Sequence, residues 1–444
     1  MKAVGTRVSL GYSEVDITPA GQVELIGFDR VNNMSRGVLH NLMAQIAIWQ
    51  VADARFCIAA IDSLGFTVEL TTILRDAISK KLNIKRDQIM VCFSHTHSAP
   101  NAATESDYFD FVLTQVIKGV DHALMTIKPV KAVWGNAISD IGINRRASNG
   151  ILDQRISILK ISDYDTDKMR LLLLRVTAHA NVLTSDNYLI SSDYFGITRS
   201  LLEKEYGCKI MLTQGASGNV RPKYQQSDAE FIEIHSYEAS EMKISPDIQK
   251  QRFEESMEAL NQMAASILNS VNTVIDDLIP QPINSIDMFS TINSFSSDVP
   301  TIEHAKEIAD EALSEAGIDG SSWLCEVDKL RAMGILQQYS DIEIQYFALN
   351  NGCWCGVPNE IMCEIALDAS KKVNDELLHL GGYTNGCDSY LPSVEEFRKG
   401  GYEVLWSLLL YYQYHGRVMP LQEDTADKLA EIVSHKWSEY KSLM

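Results

Sequence analysis

The sequence predicts an α/β fold, a mixed β-sheet core flanked by helices, and three observations carry that reading. Residues 56–62 (FCIAAID) and 88–93 (QIMVCF) are short apolar runs of the kind that form buried strands. Between them Leu70, Ile73, Leu74, Ile78 and Leu82 recur at helical spacing, so strand, helix and strand suggest a parallel βαβ unit. Residues 156–161 and 170–176 are two further strand-like runs, and the polar stretch 163–168 between them predicts an antiparallel hairpin.

The rest of the chain follows the same logic. Residues 209–213 (KIMLT) read as a buried strand after a short helix around 197–206. Over 245–277 the spacing turns helical, with Phe253, Met257, Leu260, Met263, Ile267 and Val271 near one face. The stretch 280–300, rich in Ser, Asn and Asp with proline at both ends, reads as an ordered loop or edge strand. Helical patterns return at 301–316 and 322–333, making about 245–335 mainly helical. A strand is expected at 342–349, and helices at 394–410 and 425–440. No internal repeat is visible. A length of 444 residues would accommodate about three domains, but the chemistry-bearing elements come from both ends, so 1–444 is read as a single catalytic domain.

Charge and targeting signals exclude several functions. Thirty-nine basic against 59 acidic residues give a net charge of −20, which repels phosphate backbones and anionic lipid surfaces and disfavours a nucleic-acid partner. No apolar run reaches the roughly 18–20 residues needed to span a bilayer, so no integral membrane association is expected. Residues 1–20 show no basic stretch followed by an apolar one, and a cytoplasmic location is expected. The eight cysteines are scattered and read as mostly reduced core residues, the Cys353–Cys355 pair included. A homo-oligomer is left open.

The chemistry concentrates after predicted strands. Ser94-His95-Thr96-His97-Ser98-Ala99-Pro100 follows the run 88–93 directly, and ligands of α/β sheets bind beyond the carboxyl ends of strands. Two histidines two residues apart share a side if the chain stays extended, so one can ligate a metal while the other faces a substrate. A pair of hydrogen-bonded loop histidines would look the same. His179 ends another apolar run, 171–178 (LLLLRVTA), and Asp193 follows close by as a carboxylate able to orient a histidine ligand. Glu360 emerges from the turn Gly356-Val357-Pro358-Asn359. Two histidines and a glutamate with an open position form a catalytic zinc pattern, although a lone turn glutamate is ordinarily solvated surface.

These motifs, in this order, resemble the neutral/alkaline ceramidase family. Asp16-Ile17-Thr18-Pro19 is similar to its opening D-I-T, and His95-Thr96-His97-Ser98 with Pro100 to its H-T-H-S-G-P, Ala99 replacing glycine. Ile143-Asn144-Arg145 is similar to I-N-R, and Val357-Pro358-Asn359-Glu360 to L-P-G-E. Tyr390, Glu395, Glu396 and Tyr402 fall on its Y-x-T-T-x-E-E-Y…Y-E segment. The resemblance implies one Zn²⁺ per chain on His95, His179, Glu360 and Tyr390, with His97, Arg145 and Tyr402 facing the scissile amide. It also implies a short, divergent member without the immunoglobulin-like C-terminal domain. The family's G-D-x-S-P reads Gly218-Asn219-Val220-Arg221-Pro222 here. Asn219 and Arg221 are therefore expected to bind substrate, the guanidinium taking a carboxylate.

The expected activity is zinc-dependent hydrolysis of an amide (N-acyl) bond in a soluble small or peptide-like molecule, anionic if Arg221 reads it, by metal-activated water. Two other readings compete. One keeps the metal and performs acyl transfer or amide-forming cyclisation; the other is a non-catalytic ligand-binding or scaffold protein.

Overall fold

The computed structural model describes residues 7–225 and 245–443. Strands β1 (Ser9–Asp16), β2 (Met43–Val51) and β3 (Ala54–Ile61) run antiparallel, and α1 (Val68–Leu82) carries the chain to β4 (Ile89–Phe93), parallel to β3 with Ile61 opposite Phe93. This is the βαβ unit that the apolar spacing predicts. The Thr67 side chain caps α1 by accepting the Leu70 N–H, and Asn83 ends the helix in the left-handed region. Helix α2 (Ser106–Met125) packs on β1 and β2 before β5 (Lys128–Ile138) and β6 (Gly142–Asn144). Strands β7 (Arg155–Asp163) and β8 (Met169–Val176) form the expected antiparallel hairpin. Helix α3 (Asp193–Tyr206) then leads to β9 (Lys209–Gln214), parallel to β8, and β10 (Val220–Pro222) pairs with β6.

Beyond α4 (Pro246–Asn272) and β11 (Gln281–Pro282), the stretch between the prolines is β12 (Ile286–Asp298), a full strand paired along its whole length. The mainly helical segment is thus α4, α5 (Ile302–Ala316) and α6 (Ser321–Ala332), interrupted by that strand. Next come β13 (Gln337–Leu349), β14 (Gly352–Gly356), β15 (Glu360–Ile361), α7 (Cys363–Lys372), β16 (Leu378–Gly381) and β17 (Tyr390–Leu391). The helix expected at 394–410 is broken. A single turn, α8 (Val394–Phe397), stops before Gly400 and Gly401, whose φ angles of 61° and 81° cannot continue a helix. A π-type turn at Tyr402–Trp406 then enters α9 (Ser407–His415), and α10 (Thr425–Leu443) ends the described chain. Apolar residues on both sides of the glycines are spaced as in one helix, which hides the break. No helix among the described residues is long and apolar enough to cross a membrane.

Among the described residues nine strands share one sheet, ordered β4-β3-β2-β1-β5-β7-β8-β9 with β11 on β5, and a second sheet is ordered β12-β13-β14-β16. The sheets face each other. Trp49, Trp134, Leu159, Leu171, Leu173, Met211, Phe347 and Trp354 fill the space between them. Leu172, Leu174 and Val176 point the other way, into the layer that includes Tyr194 and Phe195 of α3 and Leu260 and Met263 of α4. Burial on both faces explains why β8 reads as an unbroken apolar run instead of alternating.

One charge interrupts that interior. Arg175, on the inward-facing side of β8, is 3% exposed and donates from Nη1 to Cys355 O (2.7 Å) and His379 O (2.9 Å) of the second sheet. The guanidinium also lies over the Trp354 ring, 4.8 Å from its centroid. Arg175 therefore clamps the two sheets close to the edge that carries the site. Arg175→Met leaves both carbonyls buried without that donor, at about 1–3 kcal/mol each. The expected loss in urea unfolding is about 2–5 kcal/mol, and a loss below about 1 kcal/mol would mean the clamp is dispensable.

Candidate metal centre

The loops that follow β4, β8, β9, β14 and β16 all emerge at one edge of the sandwich. There the structure brings together His95, His97, His179 and Glu360. The Nε2 atoms of His95 and His179 stand 3.1 and 3.4 Å from the same Glu360 oxygen, Oε2. Ring-nitrogen positions of His95, His97 and His179 lie within 4.8 Å of one another, and so do donor atoms of His95, Glu360 and Cys387. His95 takes a left-handed backbone, φ 61°, and so does Tyr383, φ 53°. Such conformations in bulky residues persist where surrounding structure holds them, which is common at functional sites.

Each histidine has its orientation set by backbone. Nδ1 of His95 is 2.7 Å from Leu64 O, and Nδ1 of His179 is 2.7 Å from Ser217 O. A carbonyl only accepts, so Nδ1 carries the proton and Nε2 presents a lone pair in the neutral ring. Burial, with help from the nearby Arg145 charge, drives the His179 pKa down to about 4, which leaves it neutral near pH 7. Burial also works against an ionised Glu360, but positive charge on the facing His95 and His179 rings and hydrogen bonds from them outweigh it and hold the carboxyl well below its usual range. With both rings neutral, their Nε2 lone pairs face that carboxylate, and a shared cation takes the place of the protons that would otherwise lie between them. The residues fit a metal of the zinc type, for which neutral imidazole and carboxylate are ordinary ligands.

Sequence reading missed the support around this point. The Tyr383 hydroxyl donates to Glu360 Oε2 (3.2 Å) and receives a hydrogen bond from Ser217 Oγ (3.0 Å). Ser217 thus serves His179 through its carbonyl and Glu360 through Tyr383. Only the histidine-type signals of the motifs were legible there, because Tyr383 belongs to no motif and reaches the site through a turn after β16. The centre opens on a cavity of about 90 Å³ whose lining includes His95, His97, Glu360, Cys387, Tyr390 and Tyr402. Ile26, Leu64, Ala103, Tyr411 and Tyr414 give its walls an apolar and aromatic character. No lysine or arginine among the described residues lines it.

His97 is distinct. Both ring nitrogens are buried without a hydrogen-bond partner among the described residues. Burial first, then the neighbouring His95 and His179, pushes its pKa well below the usual value. The ring is held by Phe28, with centroids 4.8 Å apart, while Arg30 Nη2 donates to the His97 carbonyl at 2.8 Å. It is a neutral imidazole with free valence facing a cavity beside the candidate metal point.

No protein-family model and no curated protein sequence matches this chain. Solved structures do. Neutral ceramidase from Pseudomonas aeruginosa superposes with a TM-score of 0.71 at 15% sequence identity, covering 99% of this chain and 75% of that one. A ceramidase structure complexed with C2 gives a TM-score of 0.69, again at 15% identity, covering 99% and 76%. The chain has the neutral-ceramidase fold.

Within this ceramidase-like fold the remaining expected site residues are placed unevenly. Tyr390 lines the cavity, but its phenol oxygen accepts a hydrogen bond from Arg145 Nη2 (2.9 Å). Arg145 is not among the cavity-lining residues. Its guanidinium bonds Gly218 O (2.6 Å) and pairs with Glu403 (Nε–Oε1 2.9 Å), so it positions the site's edge and does not face the cavity. Glu403 also pairs with Arg146 (2.7 Å), which binds Glu396 (2.5 Å) and Gly400 O (2.8 Å), tying the broken helix to the same loop. Tyr402, at the start of the π-type turn, lines the cavity beside Tyr390, with ring centroids 6.2 Å apart.

Three further expected site residues make the following contacts. Asn219 is fully buried: Nδ2 donates to both Glu364 oxygens (3.0 and 2.8 Å) and Oδ1 accepts the Cys363 N–H (3.0 Å), fixing the start of α7. Arg221 sits on β10 opposite Ile143 and is not among the residues that line the cavity. Asp193 accepts the Val182 (3.2 Å) and Leu183 (3.0 Å) N–H groups at the start of α3, while backbone carbonyls take the histidine-orienting role.

The carbonyl that orients His179 depends on a glycine. Gly218 donates its N–H to Ile361 O at 2.9 Å, and a Cβ there would stand 2.5 Å from Glu360 O. That clash is with backbone, so Gly218→Ala must push the 217–219 turn away from β15 and from His179. Losing such support typically lowers metal affinity about 10–100-fold. A competitive zinc titration on Gly218→Ala should show that drop; an affinity equal to wild type would mean the turn can relax without the centre.

Proposed function

We propose that this protein is a metal-dependent hydrolase of amide bonds, with zinc as the ion, acting on an N-acyl compound that its apolar, aromatic cavity can enclose. The observation that carries the reading is the meeting of His95, His179 and the buried Glu360, each lone pair pre-aimed, beside a cavity that His95 and Glu360 line. The likeness to ceramidase structures supports the same chemistry.

His95, His179 and Glu360 would hold the ion. When bound, zinc supplies Lewis acidity and brings the pKa of a bound water near neutrality. The chain's own residues do the rest. Leu64 O and Ser217 O keep both imidazoles in the ligating tautomer. His97, neutral and unpartnered, accepts a proton from the attacking water and returns one to the leaving amine, as general base and then general acid. Tyr402 presents a phenol, raised well above its usual pKa chiefly by burial, and so remains a hydrogen-bond donor toward the developing negative charge. Arg145 and Glu403 keep Tyr390 in the cavity wall. Isoleucine, leucine and tyrosine walls exclude water and favour an acyl chain over a charged group.

The test is a panel of N-acyl amides assayed by amine release, alongside elemental analysis of the purified protein. About one zinc per chain, and hydrolysis abolished by a chelator and restored by zinc, are expected. A fully folded protein that neither binds zinc nor cleaves any panel member when supplied with it would end the proposal.

Two substitutions sharpen it. His97→Ala should keep its metal yet lose on the order of 10²–10⁴ in rate, whereas His95→Ala or His179→Ala should lose the metal; metal loss in His97→Ala would make it a ligand. Arg221→Ser should leave the preference between acidic and neutral substrates unchanged, since Arg221 lies off the cavity. A swing toward neutral substrates in that variant would show that the guanidinium reaches the ligand after all.

A further inference from the structure

Cys387 lies in none of the motifs discussed above, yet its Sγ shares a 4.8 Å cluster with donor atoms of His95 and Glu360, and it lines the same cavity. The position is built. Its N–H donates to Phe66 O at 2.7 Å, which closes the segment after β16 onto the turn after β3. Gly65 in that turn presents a bare Cα to the cysteine: a Cβ there would stand 2.2 Å from Cys387 Cβ. The φ of Gly65, +141°, is also one that glycine adopts readily and other residues rarely. The preceding residue, Leu64, supplies the carbonyl that orients His95. One turn thus aims an imidazole and seats a thiol, both within reach of Glu360. The residue that the family resemblance would make the fourth ligand, Tyr390, has its phenol oxygen on Arg145 instead.

We propose that Sγ of Cys387 is a ligand of the ion held by His95, His179 and Glu360, in place of Tyr390. This rests on the metal-dependent reading above. Binding is an ordinary ligand exchange: the thiol loses its proton to solvent as the sulfur–metal bond forms, with no change of oxidation state. Thiolate, imidazole and carboxylate together suit zinc and other borderline metals over magnesium or calcium. His97, which lines the same cavity, stays free for the substrate.

Cobalt(II) substitution tests this without any substrate. The measurement is made in a Cys325→Ser background, because Cys325 is the one fully exposed thiol. One cobalt per chain should bind, with visible ligand-field bands and a near-ultraviolet sulfur-to-cobalt charge-transfer band. Cys387→Ser and Cys387→Ala should each lose that charge-transfer band while cobalt stays bound, and Tyr390→Phe should keep it. Circular dichroism checks that each variant is folded, and the band in the parent protein is decisive even if a variant is not. Bound cobalt with no charge-transfer band, or a band that survives in Cys387→Ser, overturns the cysteine ligand and leaves the metal reading standing. Failure of the parent protein to bind cobalt overturns the metal reading itself, and this ligand with it.

Discussion

Two imidazole lone pairs aimed at one buried carboxylate form the arrangement around which this edge of the molecule is organised. With neutral rings and neither a proton nor a cation between them and the carboxylate, such a cluster is unfavourable in a low-dielectric interior. Proteins hold such clusters only where the surrounding structure leaves no alternative. Here the restraint comes from backbone carbonyls at Leu64 and Ser217, the left-handed turn at His95, and the Ser217–Tyr383–Glu360 hydrogen-bond chain. None of these depends on a mobile surface side chain.

The sandwich supplies the stiffness behind that restraint. Each ligand-bearing loop leaves a strand that is buried on both sides, and the strands it leaves are locked across the interior by buried polar contacts. Trp134 Nε1 donates to Leu349 O (2.8 Å) and Trp354 Nε1 to Ser157 Oγ (2.7 Å), next to the Arg175 clamp. At the site edge, Gln214 Nε2 reaches Ser94 O (3.2 Å) and Ala178 O (2.7 Å), connecting the loops that carry His95 and His179. Small displacements in one sheet would therefore be felt as changes in ligand spacing, and ligand spacing determines which metal and which reaction the site accepts. The Arg145–Glu403–Arg146–Glu396 ion-pair chain extends the same rigidity to the cavity wall contributed by the broken C-terminal helix.

Against this background the departure from the family pattern at Arg221 takes on a different meaning. Read along the sequence, a cation replacing a serine looks like a new substrate contact. In the fold it lies on a short ribbon, β6 with β10, whose inner residue Val220 supports His179 through a backbone hydrogen bond of 2.9 Å. The Asn219 side chain beside it anchors α7 through Glu364 and Cys363. The altered stretch makes contacts with β6, α7 and His179, while Cys387 lines the cavity.

Local pattern determined much of this protein. The βαβ unit, the β7–β8 hairpin, β9 and the long helices were legible because apolar spacing reports burial one element at a time. That His95, His97 and His179 come together at one edge was legible because all three follow buried strands that end there. Other features depended on residues far apart in sequence. The glycine pair at 400–401 broke a helix whose apolar spacing continued across it, and the proline-bounded stretch became a full strand because β13 was available to pair with it. Arg145 and Asn219 found partners, Tyr390 and Glu364, that no local spacing could assign. Cys387 and Tyr383 reach the centre through turns whose direction is set by the pairing of β14 with β16 and by the close approach that Gly65 permits. By itself the sequence determined which strands are buried and which histidines lie at their ends. Only the tertiary structure decided what surrounds those histidines, because sheet register and loop packing, acting across hundreds of residues, determine which side chains share a few ångströms.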